Sequence, residues 1–226
     1  MTPGQAQGRA PILSSMHPPV LQVFAKAPVA GACKTRLIPA LGAQGAATLH
    51  QRLVRHCLDV AKAWRDATPS ARVELWCAPD ASHPFFADCA RDYGVALRVQ
   101  AGPDLGARMW LALCGAIAKG EAPVLIGCDC PWLTVGDITA AHASLNQADA
   151  VFAPAHDGGY VLAGLKRAVP ELFAGVSWGT DKVMATTRAA AKRAHATLAE
   201  LRTLPDVDTP ADLERVKSDP RFVSLH

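Results

Sequence analysis

Lys26, Lys34 and Arg36 stand close together in the stretch Val23-Phe24-Ala25-Lys26-Ala27-Pro28-Val29-Ala30-Gly31-Ala32-Cys33-Lys34-Thr35-Arg36-Leu37. No carboxylate precedes Asp59. The two lysines offer point charges, and Arg36 offers a planar fork that matches phosphate oxygens. Ala30, Gly31 and Ala32 let a ligand come close to the backbone. An apolar run feeding such a loop, with a helix after it, suits a polyphosphate anion. The spacing is not that of the Gly-x4-Gly-Lys-Ser/Thr phosphate loop. A solvated basic loop anchored by Leu37 is the plainer alternative.

Three later segments supply the opposite charge. In Ile126-Gly127-Cys128-Asp129-Cys130-Pro131, a carboxylate follows directly on an apolar run. There it can hold Mg²⁺ or Mn²⁺, hard cations that prefer oxygen. Thr134 is the better cap for the helix that follows, which frees Asp129 from that duty. In Pro154-Ala155-His156-Asp157-Gly158-Gly159-Tyr160, the glycines make a tight turn. The turn either closes a hairpin or bares backbone amides to a substrate, with Asp157 facing a hydroxyl or the metal. In Asp206-Val207-Asp208-Thr209-Pro210-Ala211-Asp212, Thr209 reads as an N-cap, Pro210 as the first helical residue and Asp212 as the third. Asp206 and Asp208 have no such structural duty. Alternate positions on extended chain point to one side, so a second metal carboxylate is their natural use.

These segments need elements to position them. Strands are expected at Val20–Ala25, Arg72–Ala78, Val95–Gln100, Pro123–Gly127, Ala150–Ala155 and Tyr160–Leu165. Helices are expected at Gln44–Trp64, Pro84–Tyr93, Leu105–Lys119, Val135–Gln147 and Thr180–His195. Alternating strands and helices of this length imply an α/β three-layer sandwich around a mostly parallel sheet. In such a sheet, ligands bind beyond the carboxyl ends of the strands. The loops after Ala25, Gly127 and Ala155 lie there. No linker rich in Gly, Ser or Pro divides the chain. Residues 1–18 therefore read as a disordered leader and 19–226 as one domain.

Composition narrows the function. Six of the 23 basic residues precede the first acid, so the remainder carries 17 against 20 acidic ones. A basic opening part facing an acidic remainder suits an anionic ligand held with help from carboxylates. It does not suit nucleic acid, because there is no basic helix, no Lys/Arg run and little aromatic interleaving. The seven cysteines lack paired metal spacing. They fit a reduced, cytoplasmic protein. No apolar run reaches the length of a membrane span. The oligomeric state is open, a homodimer included.

Taken in order, the segments resemble the bacterial family catalogued as DUF2064, GT-A-like nucleotide-dependent transferases often labelled glycosyltransferases. The resemblance runs from about Leu21 to Val216. It also takes in Asp104-Leu105-Gly106-Ala107-Arg108-Met109 and Trp178-Gly179-Thr180-Asp181. More distantly the set is similar to the phospholactate and molybdenum-cofactor guanylyltransferases. What this implies is a nucleotide-diphospho-sugar transferase fold with Lys26, Gly31, Lys34 and Arg36 on the phosphates. Leu105 and Gly106 would lie against the base. Asp129 and Asp208 would hold Mg²⁺ or Mn²⁺. Arg108, Asp157, Gly158, Gly159 and Trp178 would face the substrate, with Trp178 as lid, acceptor platform or simply core. The chain departs from the Gly-Gly-x-Ser-x-Arg-Met loop of those transferases, having Ala and Pro instead. Cys33 and Cys128 also look local to this chain.

The expected activity is nucleotidyl transfer from a nucleoside triphosphate to a small acceptor, with Lys26 and Lys34 in catalytic roles. The alternative is glycosyl transfer from a nucleotide sugar, with Asp157 as base. A non-catalytic nucleotide or metabolite sensor is the third reading.

Overall fold

A computed structural model describes residues 17–225. Seven strands form one sheet in the order β3-β2-β1-β4-β6-β5-β7. They are β1 Pro19–Lys26, β2 Arg72–Ala78, β3 Ala96–Val99, β4 Ala122–Gly127, β5 Ala150–Pro154, β6 Tyr160–Leu165 and β7 Leu198–Glu200. All run parallel except β6, which lies antiparallel between β4 and β5. The helices are α1 Ile38–Ala67, α2 Pro84–Tyr93, α3 Leu105–Ile117, α4 Val135–Ser144, α5 Val183–Arg193 and α6 Pro210–Ser218.

Side-chain alternation along β1 divides the core in two. Leu21, Val23 and Ala25 face one layer, where they meet Leu53 and Trp64 of α1, Phe86 of α2, Ile138 of α4 and Leu213 of α6. Phe24 faces the other layer with Met109 and Leu113 of α3, Phe152 of β5 and Met184 of α5. The result is a three-layer sandwich around a sheet whose central strands are buried on both faces.

Local signals explain most element ends. Gly94, in the left-handed region at φ +62°, stops α2. Thr134 with Asp137, and Thr209 with Asp212, form capping boxes that open α4 and α6. Helices α3 and α4 end two or three residues earlier than expected, and three larger departures follow. Helix α1 begins earlier, at Ile38 with Pro39 in its first turn, and breaks at Gly42, whose φ of +70° is not helical. Helix α5 starts at Val183 rather than Thr180, because Gly179 at φ +78° and the Thr180 hydroxyl, bonded to the Ser177 carbonyl, hold a turn first. Strand β7 was not expected: three residues, two half-buried and one exposed, are too few to show a period.

Most of the leader expected at 1–18 lies outside the described residues. His17 Nδ1 sits 2.9 Å from the Gly120 carbonyl, and the Pro18 carbonyl accepts from Ala122 N. No helix among the described residues is long and apolar enough to cross a membrane.

The strand order reverses between β1 and β4. The sheet grows from β1 through β2 to β3 on one side and from β4 onward on the other. A crevice opens outside the carboxyl ends of the strands at such a switch point. The loops after Lys26 and Gly127 flank it.

Candidate active site

The loop leaving β1 is held by its own backbone. Ala27 N bonds to the Ala78 carbonyl at 2.7 Å, and Ala32 N to the Val29 carbonyl at 3.0 Å. Gly31 takes φ +81° with open space around it, so conformation rather than crowding calls for glycine there. The Lys26 ammonium folds back and donates to the Ala32 carbonyl at 2.8 Å. Leu37, fully buried, pins the far end.

Lys34 is the centre of the arrangement. Its backbone is left-handed, φ +47° and ψ +42°, unusual for a residue with a side chain. Its ammonium meets Asp129 Oδ1 at 2.7 Å, Asp208 Oδ1 at 3.0 Å and the Val207 carbonyl at 2.6 Å. The side chain is only 4% exposed. Burial would lower its pKa, but Asp129 and Asp208 outweigh burial and raise it. Arg36 reaches Asp208 Oδ2 at 3.3 Å while remaining 68% exposed. Thus the three cations expected to project toward phosphate are partly spoken for: Lys34 by carboxylates, Lys26 by its own loop.

Asp129 and Asp208 come together because the segment after β7 crosses the end of the sheet. Leu204 N bonds to the Pro154 carbonyl at 2.9 Å, and Val207 N to the Asp129 carbonyl at 2.8 Å. Asp208 N then bonds to Asp212 Oδ2 at the α6 cap. Both carboxylates approach one cation, and the oxygens gathered there are of the kind Mg²⁺ or Mn²⁺ takes. Among the described residues, no group of three or more His, Cys, Asp or Glu could hold a metal. The protein's own share would thus be two carboxylates, completed by phosphate oxygens and water, as is usual for Mg²⁺.

Two adjoining cavities share Lys26, His50 and Asp129. The smaller, about 220 Å³, is lined also by Lys34, Arg36 and Asp208. The larger, about 450 Å³, has Phe24, Leu105, Met109 and Trp178 in its walls, with Arg108, Asp157 and Asp206 as further charged groups. Asp206 is the carboxylate that separates from the pair: it faces the larger cavity, not Lys34. Burial first, then Asp157 and Asp208, push its pKa up to about 6.

The remaining expected residues fall unevenly. Leu105 is exposed at the mouth of the larger cavity, and the Arg108 guanidinium donates to the Gly102 carbonyl at 3.1 Å. Gly106 lies under Trp178: a Cβ there would stand 2.3 Å from the indole ring. Trp178 both covers Gly106 and lines the cavity, edge-on to Tyr160 at 6.2 Å. Asp157 Oδ1 accepts from Gly159 N at 2.8 Å, closing the turn between β5 and β6. Gly158 packs on the Asp181 backbone, where a Cβ would stand 2.1 Å from the carbonyl oxygen, and its carbonyl accepts from Met184 N. Asp157 and Gly159 line the larger cavity, whereas Gly106 and Gly158 serve the packing of its wall.

His50 escaped the sequence reading. Its ring lies at the junction of the cavities with Nε2 2.9 Å from the Lys26 carbonyl, while Nδ1 is buried and unpartnered. Burial lowers its pKa, against the opposing pull of Asp129. The one signal was its place four residues after Ala46 on the buried face of α1. Tyr160, with its buried hydroxyl unpartnered, and Gln100 also line the larger cavity and were not expected there.

Residues 60–180 match the family model described as an uncharacterized protein conserved in bacteria, DUF2064. The chain belongs to this family. The match spans Asp129, Asp157 and Trp178, and stops short of both the β1 loop and Asp208. No curated protein matches the chain. Among solved structures, a candidate nucleotide-diphospho-sugar transferase from Desulfovibrio desulfuricans G20 is 30% identical, with a TM-score of 0.79 over 92% of this chain and 90% of that one. A cytidylyltransferase from Leptospira borgpetersenii is 14% identical, with a TM-score of 0.56 over 92% of each chain. A Mycobacterium tuberculosis H37Rv protein solved with manganese is 20% identical, with a TM-score of 0.51 over 89% of this chain and all of that one. The last two speak for the fold alone. The DUF2064 chain therefore has the nucleotide-diphospho-sugar transferase fold expected of it.

Proposed function

We propose that this DUF2064 protein is a metal-assisted transferase that moves a nucleotidyl group from a nucleoside triphosphate to a small acceptor. The observation that carries the reading is the smaller cavity, where Lys26, Lys34 and Arg36 meet Asp129 and Asp208 at the switch point of the sheet. An acceptor oxygen would bond to the α-phosphorus as the bond to the β-phosphate oxygen breaks and pyrophosphate leaves. Arg36 and the two lysines would hold the phosphates and offset their growing charge. Asp129 and Asp208 would hold Mg²⁺ or Mn²⁺, which when bound supplies Lewis-acid stabilisation of the phosphoryl oxygens. The larger cavity, walled by Leu105, Met109 and Trp178, has room for the nucleoside and the acceptor.

A second reading is glycosyl transfer from a nucleotide sugar. The 30% identical relative, named for nucleotide-diphospho-sugars, favours it. Asp157 would then be the base, since it lines the larger cavity. The cationic loop supports a triphosphate, because a diphosphate donor needs fewer positive groups.

Thermal shift with the four nucleoside triphosphates and the common nucleotide sugars, each with and without Mg²⁺, separates the two. A triphosphate at a hundredfold its Kd should add about 2.7 kcal/mol of stability. For a chain of this size that is a rise of several degrees in Tm. Stabilisation by nucleotide sugars alone would move the assignment to glycosyl transfer. No response to either class would remove both.

A further inference from the structure

In the free protein, the place where two carboxylates converge already holds a cation. The Lys34 ammonium donates to Asp208 Oδ1 at 3.0 Å and to the Val207 carbonyl at 2.6 Å, and pairs with Asp129 Oδ1 at 2.7 Å. Both carboxylates and a carbonyl thus already engage the charge that a phosphate would need. The side chain is 4% exposed, so its head is enclosed. Its backbone sits in the left-handed region, a conformation that costs free energy for a residue with a Cβ and persists where the surroundings impose it.

We propose that Lys34 is the resident cation of the Asp129–Asp208 seat, and that a divalent ion enters this seat only when a polyphosphate draws Lys34 away. An ammonium and a divalent cation cannot share two carboxylates at contact distance without strong repulsion. One must leave for the other to enter. A metal arriving alone would strand Lys34, enclosed and beside a double positive charge. A polyphosphate gives it new acceptor oxygens. Arg36, largely exposed, and Lys26, which lines the same cavity, are placed to receive that anion first. Lys34 therefore acts as a positioning residue that couples metal binding to phosphate binding. This rests on the reading of the smaller cavity as a polyphosphate site.

The coupling makes the order of binding measurable without turnover. Mn²⁺ bound to protein can be counted by electron paramagnetic resonance, with no phosphate present. Lys34→Met should bind Mn²⁺ about tenfold or more tightly than the wild type, because the competing charge is gone. In the wild type, inorganic triphosphate should raise the affinity for Mn²⁺, and Mn²⁺ should raise that for triphosphate by the same factor. In Lys34→Met the factor should shrink. Lys34→Gln, which keeps donors but not the charge, should behave like Lys34→Met. Equal Mn²⁺ affinity in the wild type and both folded variants would overturn the proposal. If neither variant folds, the wild type alone decides. Mn²⁺ bound as tightly without triphosphate as with it overturns the proposal, and binding that requires triphosphate upholds it. A gain in Lys34→Met with no triphosphate effect in any form would leave Lys34 as the resident cation but overturn the coupling to phosphate, and with it the polyphosphate reading of the cavity.

Discussion

Gly106 and Trp178 form a pair in which one residue is defined by the other. A methyl at Gly106 would stand 2.3 Å from the indole, so the ring must move or the helix must shift. Overpacking of this kind costs roughly 1–3 kcal/mol. Gly106→Ala should lower Tm by several degrees and perturb the wall of the larger cavity. In a Trp178→Ala background the same substitution should cost much less, and a double-mutant cycle reads the difference. Equal costs in both backgrounds would mean that the contact is not what excludes the side chain. At the opposite wall, Asp129→Asn tests the site itself. The change keeps the shape and removes the charge that faces Lys34 at 2.7 Å. Under the proposed function it should lower transferase rate on the order of a hundredfold, the scale of losing one electrostatic contributor to the transition state. The fold should persist, because Asp208 still pairs Lys34. A rate within a few-fold of wild type would remove Asp129 from the metal role.

At the scale of elements, the contact between α1 and α4 carries a pH dependence. His142 of α4 stacks on Trp64 of α1 at 4.9 Å between ring centroids, with both ring nitrogens buried and unpartnered. Burial lowers its pKa to about 4. The unfolded chain, with an ordinary histidine near 6.5, therefore takes up the proton first as pH falls. The folded state is fully favoured above pH ~6.5 and loses roughly 3 kcal/mol as pH drops toward 4. Asp206, raised to about 6 by burial beside Asp157 and Asp208, works in the opposite sense, losing its contribution as pH rises through that value. The difference between wild type and His142→Phe isolates the histidine. The wild-type urea midpoint should fall relative to that of His142→Phe as pH drops from 7 to 4.5, and parallel profiles would refute the assignment. The turn between β5 and β6 is tied to α5 in a similar local way. Gly158 abuts the Asp181 backbone and holds φ +88°, so Gly158→Ala should destabilise even though no ligand contact is lost.

At the scale of the molecule, one sheet separates two apolar layers, and every central strand contributes to both. Neither layer can dissolve without exposing the strands the other relies on. Phe86→Ala on one face and Leu113→Ala on the other should each cost about 2–5 kcal/mol. Each should shift a single unfolding transition. Two separable transitions by fluorescence and far-UV dichroism would divide the chain into independent units. The candidate site depends on the same architecture. Its charges come from the ends of β1 and β4, the turn after β5 and the segment before α6, and only the assembled sheet brings these to one edge.

Much of this was legible in the residues. Apolar runs and capping signals placed six of the seven strands and five helices within a few residues, and Thr209-Pro210-Ala211-Asp212 marked the start of the sixth. These are local effects, written in spacings of two to four residues. The opposed charges of the β1 loop and of Asp129 and Asp208 were readable too, because polar residues next to apolar runs need a purpose. Pairing was not readable. That the Lys34 ammonium points at Asp129 and Asp208 rather than outward depends on Val207 N reaching the Asp129 carbonyl across the sheet end. The duties of Gly106 and Gly158, the junction place of His50 and the parting of Asp206 from Asp208 were likewise decided by tertiary packing. Sequence alone determined which elements form and which charges they carry to the edge. The tertiary structure decided which charges meet, because contacts between distant segments depend on strand order and crossing loops that no local period encodes.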